Sequence, residues 1–144
     1  YYIHQVNLIR YLLGEDYHVK YVDPASAALM AVSDSGVPIS LEMQGYGLSN
    51  GWEETYRVLF EQAKIDLSIP SPMARQRSGE LEVFRGKDQQ MLEHPLLRPE
   101  WAFLEQARHF VACVKGEDEP RVKPEDAVQD LEVAEEYARC LAGA

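Results

Sequence analysis

The spacing of apolar residues changes period twice along the chain, and that change limits the folds open to it. From Ile3 to Leu13, Val6, Ile9 and Leu13 recur at helical spacing, Leu8 and Leu12 widen the stripe, and Gly14 stands where a C-terminal cap belongs. Between Tyr17 and about His94 the period is two. Ile39, Leu41 and Met43 alternate with Ser40, Glu42 and Gln44; Ile65, Leu67 and Ile69 with Lys64, Asp66 and Ser68; Leu81 and Val83 with Glu80 and Glu82. Further strands are predicted at 17–22, 27–33 and 54–60. Turn residues separate them at Asp23-Pro24, Asp34-Ser35-Gly36, Ser49-Asn50-Gly51 and Gly86-Lys87-Asp88. Helical spacing returns after residues 95–99, first at Phe103, Ala107, Phe110, Val111 and Val114, ended by Gly116. It resumes at Ala127, Leu131, Ala134, Ala138 and Leu141, behind Pro124 and the acidic pair Glu125-Asp126 that suits a helix start.

The order is therefore helix, a run of strands with short connections, then two helices. It implies a single α+β domain over 1–144: an open, largely antiparallel β-sheet with helices packed on one face. Ser40, Glu42, Gln44, Arg57, Lys64, Asp66 and Glu82 fall on the other face, which is left to water or a partner. At 144 residues and 46% hydrophobic content the chain can bury a core without disulfide or metal staples. A formal net charge of −10 disfavours nucleic acid as a partner. No apolar run is long enough for a membrane span and no signal-peptide pattern is present, which points to a soluble, cytoplasmic protein. Cys113 and Cys140 read as reduced, buried thiols. Neither they nor His18, His94 and His109 have zinc-ligand spacing, so no metal site is expected.

The chain opens at Tyr1-Tyr2-Ile3-His4 with no Met and no residue able to cap the first helix, which suggests the C-terminal part of a longer protein. On that helix His4, Asn7 and Tyr11 share one side, along which a ligand could lie. Trp52, with Tyr46 in the glycine-bearing loop 45–51, could contact substrate or a neighbouring subunit, or simply anchor the loop. Arg75 and Arg77 could pair with an anionic substrate or remain solvated. The run Glu117-Asp118-Glu119 reads as a solvated loop.

Two segments carry a resemblance to a known family. The run His4-Gln5-Val6-Asn7-Leu8-Ile9-Arg10-Tyr11-Leu12-Leu13-Gly14 is similar to the H-x-x-D-L-x-x-x-L-x-G helix that begins the second domain of the Gfo/Idh/MocA oxidoreductases, named for glucose-fructose oxidoreductase and inositol dehydrogenase, with Asn7 in place of the usual Asp. Phe103, His109-Phe110, Val114, Gly116, Pro120, Glu125-Asp126-Ala127 and Val133-Ala134-Glu135 resemble that family's closing stretch.

The resemblance implies an NAD(P)-dependent oxidoreductase that moves hydride between a nicotinamide and a hydroxyl of a sugar, polyol or cyclitol. NAD or NADP would be bound by an N-terminal Rossmann domain that this chain lacks, since it has no G-x-G-x-x-G turn and no E-K-P lysine. By itself the chain would be inactive and bind no cofactor. By the same resemblance His4 is the catalytic base, an imidazole in the first turn of the helix whose ring nitrogen would accept the hydroxyl proton. Its aspartate partner would precede Tyr1. Asn7 and Trp52 are the substrate-binding candidates, and a homo-oligomer would form through the sheet face. His4 could equally be a packed or solvated residue, and the whole a non-catalytic sheet domain for dimerisation or ligand binding.

Overall fold

The computed structural model describes residues 3–43 and 53–143. In chain order they form α1 (Ile3–Leu13), β1 (Tyr17–Val22), β2 (Ala28–Ser33), β3 (Pro38–Glu42), β4 (Glu53–Leu59), β5 (Ala63–Pro70), β6 (Glu80–Arg85), β7 (Met91–Glu93), α2 (Ala102–Lys115) and α3 (Pro124–Leu141). The α+β class and the antiparallel pairing follow the sequence reading, and β7 is an addition to it. The strands form two sheets, in the orders β1-β2-β3 and β4-β5-β6-β7, rather than one. Alternation marks which face of a strand is apolar but not which strand it pairs with. The chain divides into two compact units, one of Tyr1–Gly45 with Arg121–Ala144 and one of Tyr46–Pro120.

In the first unit, α1 and α3 close over one face of the three-stranded sheet. Val6, Tyr17, Val19, Val22, Leu29, Ala31 and Val133 are buried together, with Ile9, Leu13, Ile39, Leu41, Tyr137 and Cys140 packed against them. Strict alternation would turn Tyr21 inward after Tyr17 and Val19. A register shift between Val19 and Tyr21 places one extra residue in β1, so Val22 faces the core and Tyr21 lies 53% exposed.

The α3 stripe expected from sequence is not the one that packs. Ala127, Leu131, Ala138 and Leu141 are exposed, and the inward row runs through Asp130, Val133, Tyr137 and Cys140. A carboxylate in the middle of that row hid it from a hydrophobicity count, and its burial is possible because a cation meets it there. On α2, likewise, Phe103, Phe110, Val111 and Val114 are exposed, while Glu105, His109, Ala112 and Cys113 form the less exposed row. This helix ends at Gly116, whose φ of 73° supplies the left-handed cap.

The outer edge of β1 is covered rather than left open. The Val19 N–H donates to Glu136 Oε2 at 2.9 Å, and the His18 ring meets Glu136 Oε1 through Nδ1 at 3.0 Å and Asp34 Oδ1 through Nε2 at 3.3 Å. With a carboxylate at each ring nitrogen the geometry suits the imidazolium, which donates from both. The bond to Glu136, and then its charge, raise the His18 pKa.

The second unit is an antiparallel meander with one apolar and one charged face. Tyr56, Leu67 and Leu81 stand in register across three strands, as do Val58, Ile65 and Val83, all half-buried. On the opposite face Arg57, Asp66 and Glu82 align in the same way. Arg57 donates to Asp66 at 2.5 Å, and Lys64 lies 2.6 Å from Asp66 and 3.4 Å from Glu82.

Because Val133 and not Leu131 faces the core, Val133→Ala should lower the free energy of unfolding by about 2 kcal/mol and Leu131→Ser by less than about 0.5, measured by urea denaturation. A second outcome concerns pH. The His18 contribution is fully present below the pKa of a free histidine, about 6.5, and is lost as pH rises through the elevated folded value. Stability of the wild type relative to Glu136→Gln should therefore fall across that window, and a titration of the His18 ring by NMR should give a lower pKa in the variant.

Candidate functional site

Helix α1 carries His4, Asn7 and Tyr11 on one side, as its 3.6-residue period requires. His4 is exposed at the first turn, Asn7 is half-buried and Tyr11 is 63% exposed. Asn7 and Tyr11 border a cleft of about 370 Å³ whose walls also include Arg10, Arg121, Asp126 and Gln129. His4 lies one turn nearer the N-terminus and is not part of the wall. Trp52 and Tyr46 fall outside the described residues.

The cleft is built around one guanidinium. Arg10 Nε donates to Asp16 Oδ1 at 2.7 Å, and Nη1 donates to Asp130 Oδ1 at 2.8 Å and to the Asp126 carbonyl at 3.0 Å. Nη2 donates to the Gln129 side-chain oxygen. Asp130, with only 5% of its side chain exposed, also accepts from Asn7 Nδ2 at 2.8 Å. Burial works against the Arg10 charge, but the bonds to Asp130 and Asp16 outweigh it and raise the pKa. Burial first, and then the Asp130 charge, push the phenol of the neighbouring Tyr17 upward.

This arrangement decides what remains for a ligand. Most of the Arg10 donors are committed, so the residue frames the cleft rather than reading its contents. The Asn7 amide nitrogen is committed to Asp130, which leaves its carbonyl oxygen. Asp126 takes the Lys123 N–H at 2.8 Å and so closes the start of α3, and Glu15 is held by the Ser35 hydroxyl and N–H. The Tyr11 hydroxyl, the Asn7 carbonyl and Arg121 are the groups open to a polar guest. The sequence reading found Asn7 and Tyr11 but missed Arg10, Asp130, Gln129 and Arg121. An aspartate inside an otherwise apolar helical row, with an arginine on another helix, was the available signal.

The remaining candidates take local roles in the second unit. Arg75 stacks over the Trp101 ring at 4.5 Å, and Arg77 is exposed. His109 Nε2 lies 3.0 Å from the Glu119 carbonyl and 3.5 Å from Cys113 Sγ, tying α2 to the loop that follows it. Cys113 in this unit, and Cys140 in the first, are free and half-buried. Among the described residues no group of three or more His, Cys, Asp or Glu side chains is placed to hold a metal ion. No helix among them is long and apolar enough to cross a membrane. All described strand pairs are antiparallel, so the described residues contain no parallel β–α–β unit of the dinucleotide-binding type.

Arg10→Met leaves Asp130 buried without its cation and should cost about 3–5 kcal/mol of unfolding free energy. The double variant Arg10→Met with Asp130→Leu should recover most of that loss, read from urea midpoints of the single and double variants.

No protein-family model matches the sequence, and no curated protein is similar to it in sequence. Solved structures do match in fold. The aldose-aldose oxidoreductase of Caulobacter crescentus, crystallised with glycerol, superposes with a TM-score of 0.67 and 21% identity over 98% of this chain and 44% of that one. A point mutant of KijD10, a 3-ketoreductase of Actinomadura kijaniata in complex with TDP-benzene and NADP, gives 0.64 and 15% over 92% of this chain and 43% of that one. The chain thus spans less than half the length of these structures. With these oxidoreductases the chain shares a fold.

Proposed function

We propose that the chain is the substrate half of an NAD(P)-dependent oxidoreductase acting on a hydroxyl of a sugar, polyol or cyclitol. The carrying observation is the fold, matched over 98% of the chain to a protein named as an aldose-aldose oxidoreductase. The His4–Gly14 helix, with its family-like pattern, supports the reading. So do the exposed apolar rows of Phe103, Phe110 and Val114 on α2 and of Leu131 and Leu141 on α3, which fit a chain considered apart from the rest of its protein.

In this reading the nicotinamide belongs to a separate Rossmann-type half and supplies hydride acceptance or donation there. The present chain alone is inactive. Its own part is to bind the alcohol and manage the proton. Asn7 offers a carbonyl oxygen to a substrate hydroxyl, and Tyr11 offers a phenol. His4, exposed one turn beyond the cleft, accepts the hydroxyl proton on a ring nitrogen as the alcohol is oxidised and returns it in the reverse direction. The charged outer face of β4–β7 is the surface for self-association.

A second reading has its own support. His4 stands outside the cleft wall and the Asn7 amide is committed to Asp130, an arrangement that also suits a non-catalytic sheet domain used for dimerisation or ligand binding.

The two readings part in the full-length enzyme that the first requires. There His4→Asn should lower kcat by about tenfold or more while the nicotinamide Kd stays within about twofold, because the cofactor is held elsewhere. Steady-state kinetics with a nicotinamide titration make the comparison, and an unchanged kcat removes His4 from the mechanism.

A further inference from the structure

A second cleft, of about 620 Å³, lies at one end of the four-stranded sheet, where the β4–β5 and β6–β7 turns stand side by side. Its frame is fixed by backbone. The Phe60 N–H donates to the Ala63 carbonyl at 2.9 Å and closes the first turn, and the Gly86 N–H donates to the Gln62 carbonyl at 3.1 Å and joins the two turns. Gly86 has a φ of 112°, and a Cβ there would stand 1.9 Å from the Gln89 carbonyl oxygen, so only glycine permits this approach.

Two phenyl rings, Phe60 and Phe84, line the cleft together with Gln62, Gln90, Glu61 and Lys87. Phe60 is 56% exposed, a costly position for a phenyl group that nothing covers. Lys64 also borders the cleft but is taken by Asp66 and Glu82. Lys87 and Glu61 offset each other in charge, which leaves a neutral, aromatic and amide-rich lining.

From this lining we infer a second ligand site, for a neutral pyranose. The negative face of a phenyl ring attracts the polarised C–H hydrogens on the flatter side of a sugar ring. Each glutamine carboxamide offers a donor and an acceptor side by side, the pattern that neighbouring hydroxyls of a sugar match. Aromatic walls with a few orienting polar groups are the usual composition of a small-molecule site. The lining shares no residue with the α1–α3 cleft, so the inference stands independently of the catalytic reading.

The test is saturation-transfer NMR on the 144-residue chain with methyl β-D-glucopyranoside at about 10 mM, a concentration suited to millimolar affinity. Transfer should be strongest at the ring C–H protons. It should fall about threefold or more in Phe60→Ser and in Gln90→Ala, and persist in Leu131→Ser, at an exposed residue of neither cleft. Thermal unfolding checks that the variants fold, and Gln90→Ala serves alone if Phe60→Ser does not. Three results overturn the inference: no transfer to the wild type, transfer unchanged in both cleft variants, or transfer abolished only by Asn7→Ala, which places the sugar between α1 and α3. A fourth is conversion of a wild-type dimer into a monomer by Phe60→Ser in equilibrium sedimentation, which makes a second copy the occupant.

Discussion

A single buried ion pair organises the first unit. The Arg10 guanidinium reaches Asp130 from α1, gathers Asp16 at the entry to β1, and takes the Gln129 side chain beside Asp130 and the Asp126 carbonyl one turn earlier on α3. A hydrophobic contact between the two helices would tolerate rotation or sliding of one on the other. A fork of N–H donors with partners at fixed angles does not. The pair therefore sets the angular position of α1, and with it the direction in which His4, Asn7 and Tyr11 are presented. Its net contribution to stability can be small, since desolvation offsets attraction. What it confers is a defined register between two helices whose apolar rows are short.

The two units hold together by different means. All the buried apolar side chains among the described residues belong to the first, which has a closed core around Tyr17. The second relies on strand pairing, half-buried cross-strand rows and the Arg57, Lys64, Asp66 and Glu82 lattice. Its Tyr56 hydroxyl is driven up in pKa by burial and by its 2.7 Å bond to Glu54. Exposed ion pairs are weak individually. Such a sheet gains rigidity from their alignment more than from their number.

Much of the secondary structure was legible because its causes are local. The 3–13 helix and the 17–22 strand match the structure residue for residue, and the Gly14 and Gly116 caps stand where left-handed backbone is needed. The grouping of strands into two sheets was not legible, since pairing partners leave no mark on a strand's own alternation. The misplaced stripe on α3 has a sharper cause. Asp130 looks like a solvent residue until its partner, 120 positions away in sequence, is known. The candidate site divides in the same way. Helical periodicity alone aligned His4, Asn7 and Tyr11, whereas the cleft beside them is a tertiary product of Arg10 and the first turn of α3.

The seal that Glu136 places on the rim of β1 has a consequence in time as well as in space. The two residues joined by that bond, Val19 and Glu136, are 117 positions apart. At ribosomal speeds of about 5–20 residues per second, the nascent sheet waits on the order of 6–23 s before its covering helix exists. Throughout that interval a strand with unsatisfied amides is open to pairing with a neighbouring polypeptide on the same message. Crowded translation, more than heat or denaturant, is thus the circumstance in which this fold is most vulnerable to self-templated assembly.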